Sequence, residues 1–65
     1  MAKLTIKAAR VNAGFTQKVA AKKLNVSNKT LSSWENGATT PNIKAIPAIC
    51  TLYGVEYDDL IFLVN

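Results

Sequence analysis

Residues 16–37 read TQKVAAKKLNVSNKTLSSWENG. Thr16 can cap a helix over Gln17–Leu24, because its hydroxyl can accept one of the free N–H groups of a first turn. Asn25 follows where a left-handed residue would turn the chain tightly, and asparagine tolerates that conformation. Ser27 can cap a second helix over Asn28–Asn36, and Gly37 stops it.

Two helices separated by about three residues have the spacing of a helix-turn-helix. Ala20, Ala21 and Leu24 share one arc of the first helix, and Ala21 is small enough for a close crossing. Val26 can fill the crevice between the pair. At about 100° per residue, Thr30, Leu31 and Trp34 fall on one side of the second helix. Asn28, Lys29, Ser32, Ser33 and Asn36 fall on the other. An ordinary solvated face favours Glu, Lys, Arg and Gln, which support helix. Serine and asparagine compete for the backbone and are poor interior choices. A continuous strip of them is better explained as a binding face than as a solvated one. In a DNA major groove, Asn can bond an adenine edge, Lys can reach guanine acceptors and Ser can serve either.

Outward from this unit, the remaining stops and starts give an all-α chain of five short helices, over about 5–13, 17–24, 28–36, 43–53 and 57–62. Thr5 can cap the first, and Gly14 ends it. Asn42 can cap the fourth. An interior proline would cost it about 3 kcal/mol, so Pro47 belongs in a first turn and the regular helix begins near Ile46. Asp58 and Asp59 suit the first turn of the fifth. No alternation typical of strands survives inspection. The length of 65 residues fits one small domain, residues 1–65.

Charge is unevenly placed. Residues 1–34 hold seven cations and no acid, whereas residues 35–65 hold Lys44 against Glu35, Glu56, Asp58 and Asp59. Such asymmetry is a hint of nucleic-acid contact; lysines that merely solvate a helical surface would give the same count. There is no histidine, no Gly-rich phosphate loop and no obvious partner to activate a serine. The chain therefore reads as no enzyme, with no metal, cofactor or small-molecule substrate. The single Cys50 forms no internal disulfide and reads as a small core residue in a reducing compartment. The longest apolar runs, Ala45–Cys50 and Leu60–Val64, are too short to span a membrane, so a cytoplasmic protein is expected.

Arg10 shares the arc of Ile6, Ala9 and Ala13, the core side of the first helix. A buried cation needs a partner. Glu35, the only acid before residue 56, borders the core stripe around Trp34. An Arg10–Glu35 ion pair is expected.

With these residues in hand, the chain resembles the phage repressor and Cro family of helix-turn-helix DNA-binding domains, the lambda-repressor-like fold. The likeness rests on Arg10, residues 13–37, Pro41 and LYGVEYDDL at 52–60. It implies a bundle of five helices whose second and third read DNA. By position, it implies that Asn28, Lys29 and Ser33 read bases, with Ser32 a weaker candidate. Gln17 would grip a phosphate and buttress the reading helix. Asn36, Thr39 and Thr40 would contact the DNA backbone, Lys18 and Lys44 are further phosphate partners, and Arg10–Glu35 matches a structural pair. Asn25 departs from the family's turn glycine and Ala20 from a common leucine, a loss Phe15 can offset.

The implied function is a sequence-specific regulator on a double-stranded operator, a phage or bacterial repressor or Cro-like protein, acting as a homodimer. The dimer contact would involve residues 55–64, since Leu60–Val64 cannot all be buried in so small a core; alternatively, that tail precedes a further domain. The competing reading is a protein-interaction module, such as an antitoxin-like partner, whose working surface is the apolar tail.

Overall fold

Short polar side chains set where the helices begin. In the computed structural model, which describes residues 3–62, α1 covers Ile6–Asn12, α2 Gln17–Lys23, α3 Asn28–Asn36 and α4 Ala45–Tyr53. The Thr5 hydroxyl accepts from the Ala8 N–H at 3.1 Å, Thr16 from Val19 at 3.2 Å and Ser27 from Thr30 at 3.0 Å. Each satisfies a donor that a first turn leaves free. Asn42 acts differently. Its side chain accepts the Ala45 N–H at 2.9 Å, while Lys44 occupies the cap position itself.

The helix ends are closed by the chain doubling back. After α2, the Val26 N–H reaches the Ala21 carbonyl at 3.0 Å and the Asn25 N–H reaches Lys22 at 3.1 Å. This closure needs a left-handed residue. Asn25 supplies it at φ 60°, the only positive-φ residue other than glycine among those described. The same pair of bonds closes α1, from Phe15 to Arg10 and from Gly14 to Val11.

The core gathers Ile6 and Ala9 from α1, Ala20 and Ala21 from α2, Leu31 and Trp34 from α3, and Ile49 and Tyr53 from α4, with Leu60 beneath. Leu31 and Ile49 are wholly buried. Ala20 is fully enclosed as well, so α2 lies close against its neighbours. Val26 packs onto the core from the turn. Phe15 lies against Tyr53 with ring centroids 6.2 Å apart, filling volume beside the lean α2.

Two expectations are corrected. No helix spans 57–62, and the chain is not purely helical. Tyr57–Asp59 make a single 3₁₀ turn, which the Asp59 carboxylate stabilises by accepting the Glu56 N–H at 3.2 Å. The chain then extends. Leu60–Ile61 (β2) pairs in parallel with Leu4–Thr5 (β1), Leu4 opposite Leu60 and Thr5 opposite Ile61. Leu60, Ile61 and Phe62 begin an apolar run better suited to extended backbone than to a last helical turn. Pairing with the segment before α1 turns Leu60 into the core. A two-residue strand has no alternation to detect. α4 starts at Ala45, one residue before the Ile46 expected for its regular part. Ile43 and Lys44 form a turn, and Pro47 falls in the first helical turn, where its missing N–H costs little. The expectation for Leu63 and Val64 lies outside the described residues.

Candidate nucleic-acid interface

The packing of α3 decides which of its side chains face out. Leu31 is fully buried and Trp34 is 7% exposed. With that stripe fixed, Asn28, Lys29 and Asn36 are exposed and Ser32 and Ser33 half-buried. All five stand on one side of one helix. The Asn36 amide reaches the Ser32 hydroxyl at 3.4 Å, a long bond that links the middle of the strip to its end. Thr39 and Thr40 are exposed in the loop beyond, which begins with Ala38 and Thr39 donating to the Ser33 carbonyl at 3.0 and 3.3 Å. Lys18 is exposed on α2. Lys44 is exposed too, but it is reached only after the loop, at the entrance to α4.

Behind the strip runs a chain of side-chain bonds. Arg10 Nε donates to Glu35 Oε2 at 2.7 Å and Arg10 Nη2 to Oε1 at 3.3 Å. The third arm of the guanidinium, Nη1, donates to the Phe15 carbonyl at 2.8 Å, tying the pair to the α1–α2 turn. Gln17 Nε2 donates to Glu35 Oε1 at 3.1 Å, and Asn28 Nδ2 donates to Gln17 Oε1 at 3.0 Å. The ion pair joins α1 to α3, and Gln17 links it to the first residue of the exposed strip. Gln17 therefore has one N–H left for a phosphate while both ends of its amide act as a buttress. The extension from Glu35 to Gln17 is absent from the sequence reading. The available signal was that one arginine cannot saturate the lone pairs of a buried carboxylate.

Tyr53 adds a second feature that sequence did not show. Its hydroxyl is buried and has no hydrogen-bond partner among the described residues. Burial first, and then the nearby Glu35 carboxylate, push its phenol up to about 12, partly offset by Arg10. The phenol stays neutral behind the ion pair. Cys50 is half-buried, and burial and Asp59 both raise its thiol above the ordinary range, which leaves little reactive thiolate.

The electrostatics follow the fold. Arg10 and Glu35 cancel inside, so the described surface from Lys3 to Lys29 carries only lysines. The exposed acids Glu56 and Asp58 sit at the 3₁₀ turn. A family model described as "Helix-turn-helix" matches residues 6–60. The chain belongs to the helix-turn-helix family. α2 and α3 are the two helices of the motif and Asn25–Ser27 its turn. The helix-turn-helix chain is also 41% identical over 56 residues to the HTH-type transcriptional regulator ImmR of Bacillus subtilis (strain 168). That match covers 86% of this chain and 44% of the relative, so the chain spans less than half the relative's length.

Proposed function

We propose that this chain reads double-stranded DNA sequence-specifically as part of a transcriptional regulator of the repressor and Cro type. α3 lies in the major groove with Asn28, Lys29, Ser33 and, to a smaller extent, Ser32 at base edges. Gln17, Lys18, Asn36, Thr39, Thr40 and Lys44 hold the register on phosphates. The observation that carries this reading is the outward strip of short polar side chains on a helix whose opposite side is anchored by Leu31 and Trp34. The similarity to a named transcriptional regulator supports it. Such a protein works in the bacterial cytoplasm, on the chromosome or on phage DNA. No helix among the described residues is long and apolar enough to cross a membrane.

The active species is a homodimer on two half-sites. Ile43, Ile46, Pro47, Val55 and Tyr57 line an apolar groove beside α4, and Ile43 is 83% exposed. The longest dimension of the domain is 30 Å. A domain of this size is small enough for two copies to sit on half-sites one DNA turn, about 34 Å, apart.

The test is a titration of labelled duplex at several salt concentrations, coupled to selection from a random library. A DNA reader gives affinity that falls steeply with salt, by roughly one power for each phosphate neutralised, together with an enriched sequence. A flat salt response with no enriched sequence rejects the proposal in favour of a protein-interaction module.

A further inference from the structure

The bonds behind α3 have a direction. Glu35 Oε1 only accepts, so Gln17 must turn its amide nitrogen towards it, as it does at 3.1 Å. That leaves Gln17 Oε1 facing Asn28, and an oxygen there demands the amide nitrogen of Asn28, found at 3.0 Å. One of the two hydrogens on Asn28 Nδ2 is thereby used. The other hydrogen and Oδ1 remain for the outside, because Asn28 is exposed. One donor beside one acceptor is the complement of an adenine edge, N7 and N6–H. With the relay reversed, Oδ1 would be held by Gln17 and two N–H groups would face out, the complement of guanine N7 and O6.

We infer that Glu35, although buried and out of reach of DNA, is a positioning residue that sets the base preference of Asn28 through Gln17. The inference rests on the DNA-reading proposal above. It adds that the charge at position 35 is read out as adenine over guanine. The Arg10 guanidinium, donor-only and bonded to Phe15 and Glu35, makes the direction sharper. In Glu35→Gln the new amide must give its oxygen to Arg10 and its nitrogen to Gln17. Gln17 then flips, and Asn28 flips after it.

The experiment selects binding sites for the purified chain and for Asn28→Ala, Gln17→Ala and Glu35→Gln, then compares affinities for duplexes that differ at one position. Asn28→Ala identifies that position, as the one whose preference flattens. The unsubstituted chain should favour adenine over guanine there by about tenfold or more. Gln17→Ala should bring the two within about threefold, and Glu35→Gln should shift preference towards guanine. A purely structural role for Glu35 would weaken all duplexes alike and leave the ratio unchanged. Circular dichroism checks folding. If Glu35→Gln does not fold, Gln17→Ala, which leaves the Arg10–Glu35 pair intact, still overturns the relay where the adenine preference survives it. Retention of the adenine preference in the folded variants, or a base other than adenine at the Asn28 position, overturns the relay while leaving DNA reading in place. Failure of the unsubstituted chain to select any sequence overturns both.

Discussion

Arg10 and Glu35, 25 positions apart in the chain, meet at 2.7 Å with their side chains 9% and 2% exposed. They pin α1 to the inner edge of α3, so the helix that carries the polar strip is held by charge as well as by Leu31 and Trp34. A buried pair of this kind adds little net stability against a well-packed apolar replacement, but removing one member leaves an uncompensated charge. Glu35→Ala should therefore cost about 3–5 kcal/mol. The joint change Arg10→Met with Glu35→Leu should recover most of that loss. Urea denaturation of the three proteins measures both effects. A Glu35→Ala chain as stable as the parent would contradict a buried pair.

The turn between α2 and α3 gives a backbone prediction. Asn25 sits at φ 60° and closes α2 through its own N–H. Glycine reaches this conformation without a Cβ penalty, whereas a β-branched side chain is strained there. Asn25→Gly should be neutral within a few tenths of a kcal/mol, since asparagine and glycine are the usual residues at such a stop. Asn25→Val should destabilise by roughly 1–2 kcal/mol. Thermal melting orders the three chains; equal melting of the Val and Gly variants would exclude the left-handed requirement.

Much of this architecture is legible in the residues themselves. Thr5, Thr16 and Ser27 mark helix starts because a short hydroxyl at those points has one obvious use, and all three caps form. The 3.6-residue period puts Leu31 and Trp34 inward, which turns the strip outward. Arg10 and Glu35 can be paired because one buried cation and one early acid need each other. Legibility ends where the signal is non-local or short. Leu60 and Leu4 are joined by a two-residue pairing across the chain, and no local pattern announces a strand of that length. For Gln17, only the family resemblance implies a phosphate grip and a buttress for the reading helix. Its bonds to Glu35 and Asn28 depend on how α2 crosses α3, which no spacing in the sequence specifies.

At the strip, base-reading and backbone contacts should separate experimentally. Asn28→Ala and Lys29→Ala should each cost about 1–3 kcal/mol at the best site and blur preference at one or two neighbouring positions. Under the proposed reading, Thr39→Ala, in the exposed loop beyond α3, should weaken all duplexes by a similar factor, as loss of a phosphate contact does. Selection profiles alongside affinities distinguish the two classes. Unchanged site preference after replacement of both Asn28 and Lys29 would mean that another surface reads the bases.

Tyr53 carries the pH prediction. An unfolded tyrosine titrates near 10, while burial and the Glu35 carboxylate raise it to about 12 in the fold. Above pH ~10 the unfolded chain loses a proton that the folded chain retains. Its contribution to stability is therefore complete below pH ~10, declines as pH rises, and is lost on passing about 12. The informative quantity is the difference between the parent chain and Tyr53→Phe. The phenylalanine variant keeps the ring that packs on Phe15 and removes a buried hydroxyl without a protein partner among the described residues. At pH 7 it should be as stable as the parent or more so by up to about 1 kcal/mol. Between pH ~10 and ~12 its advantage should widen. Parallel urea curves for the two proteins at pH 7, 9, 10.5 and 11.5 follow that gap on the scale of tyrosine ionisation; a gap that stays constant across the series would place the Tyr53 phenol in contact with water.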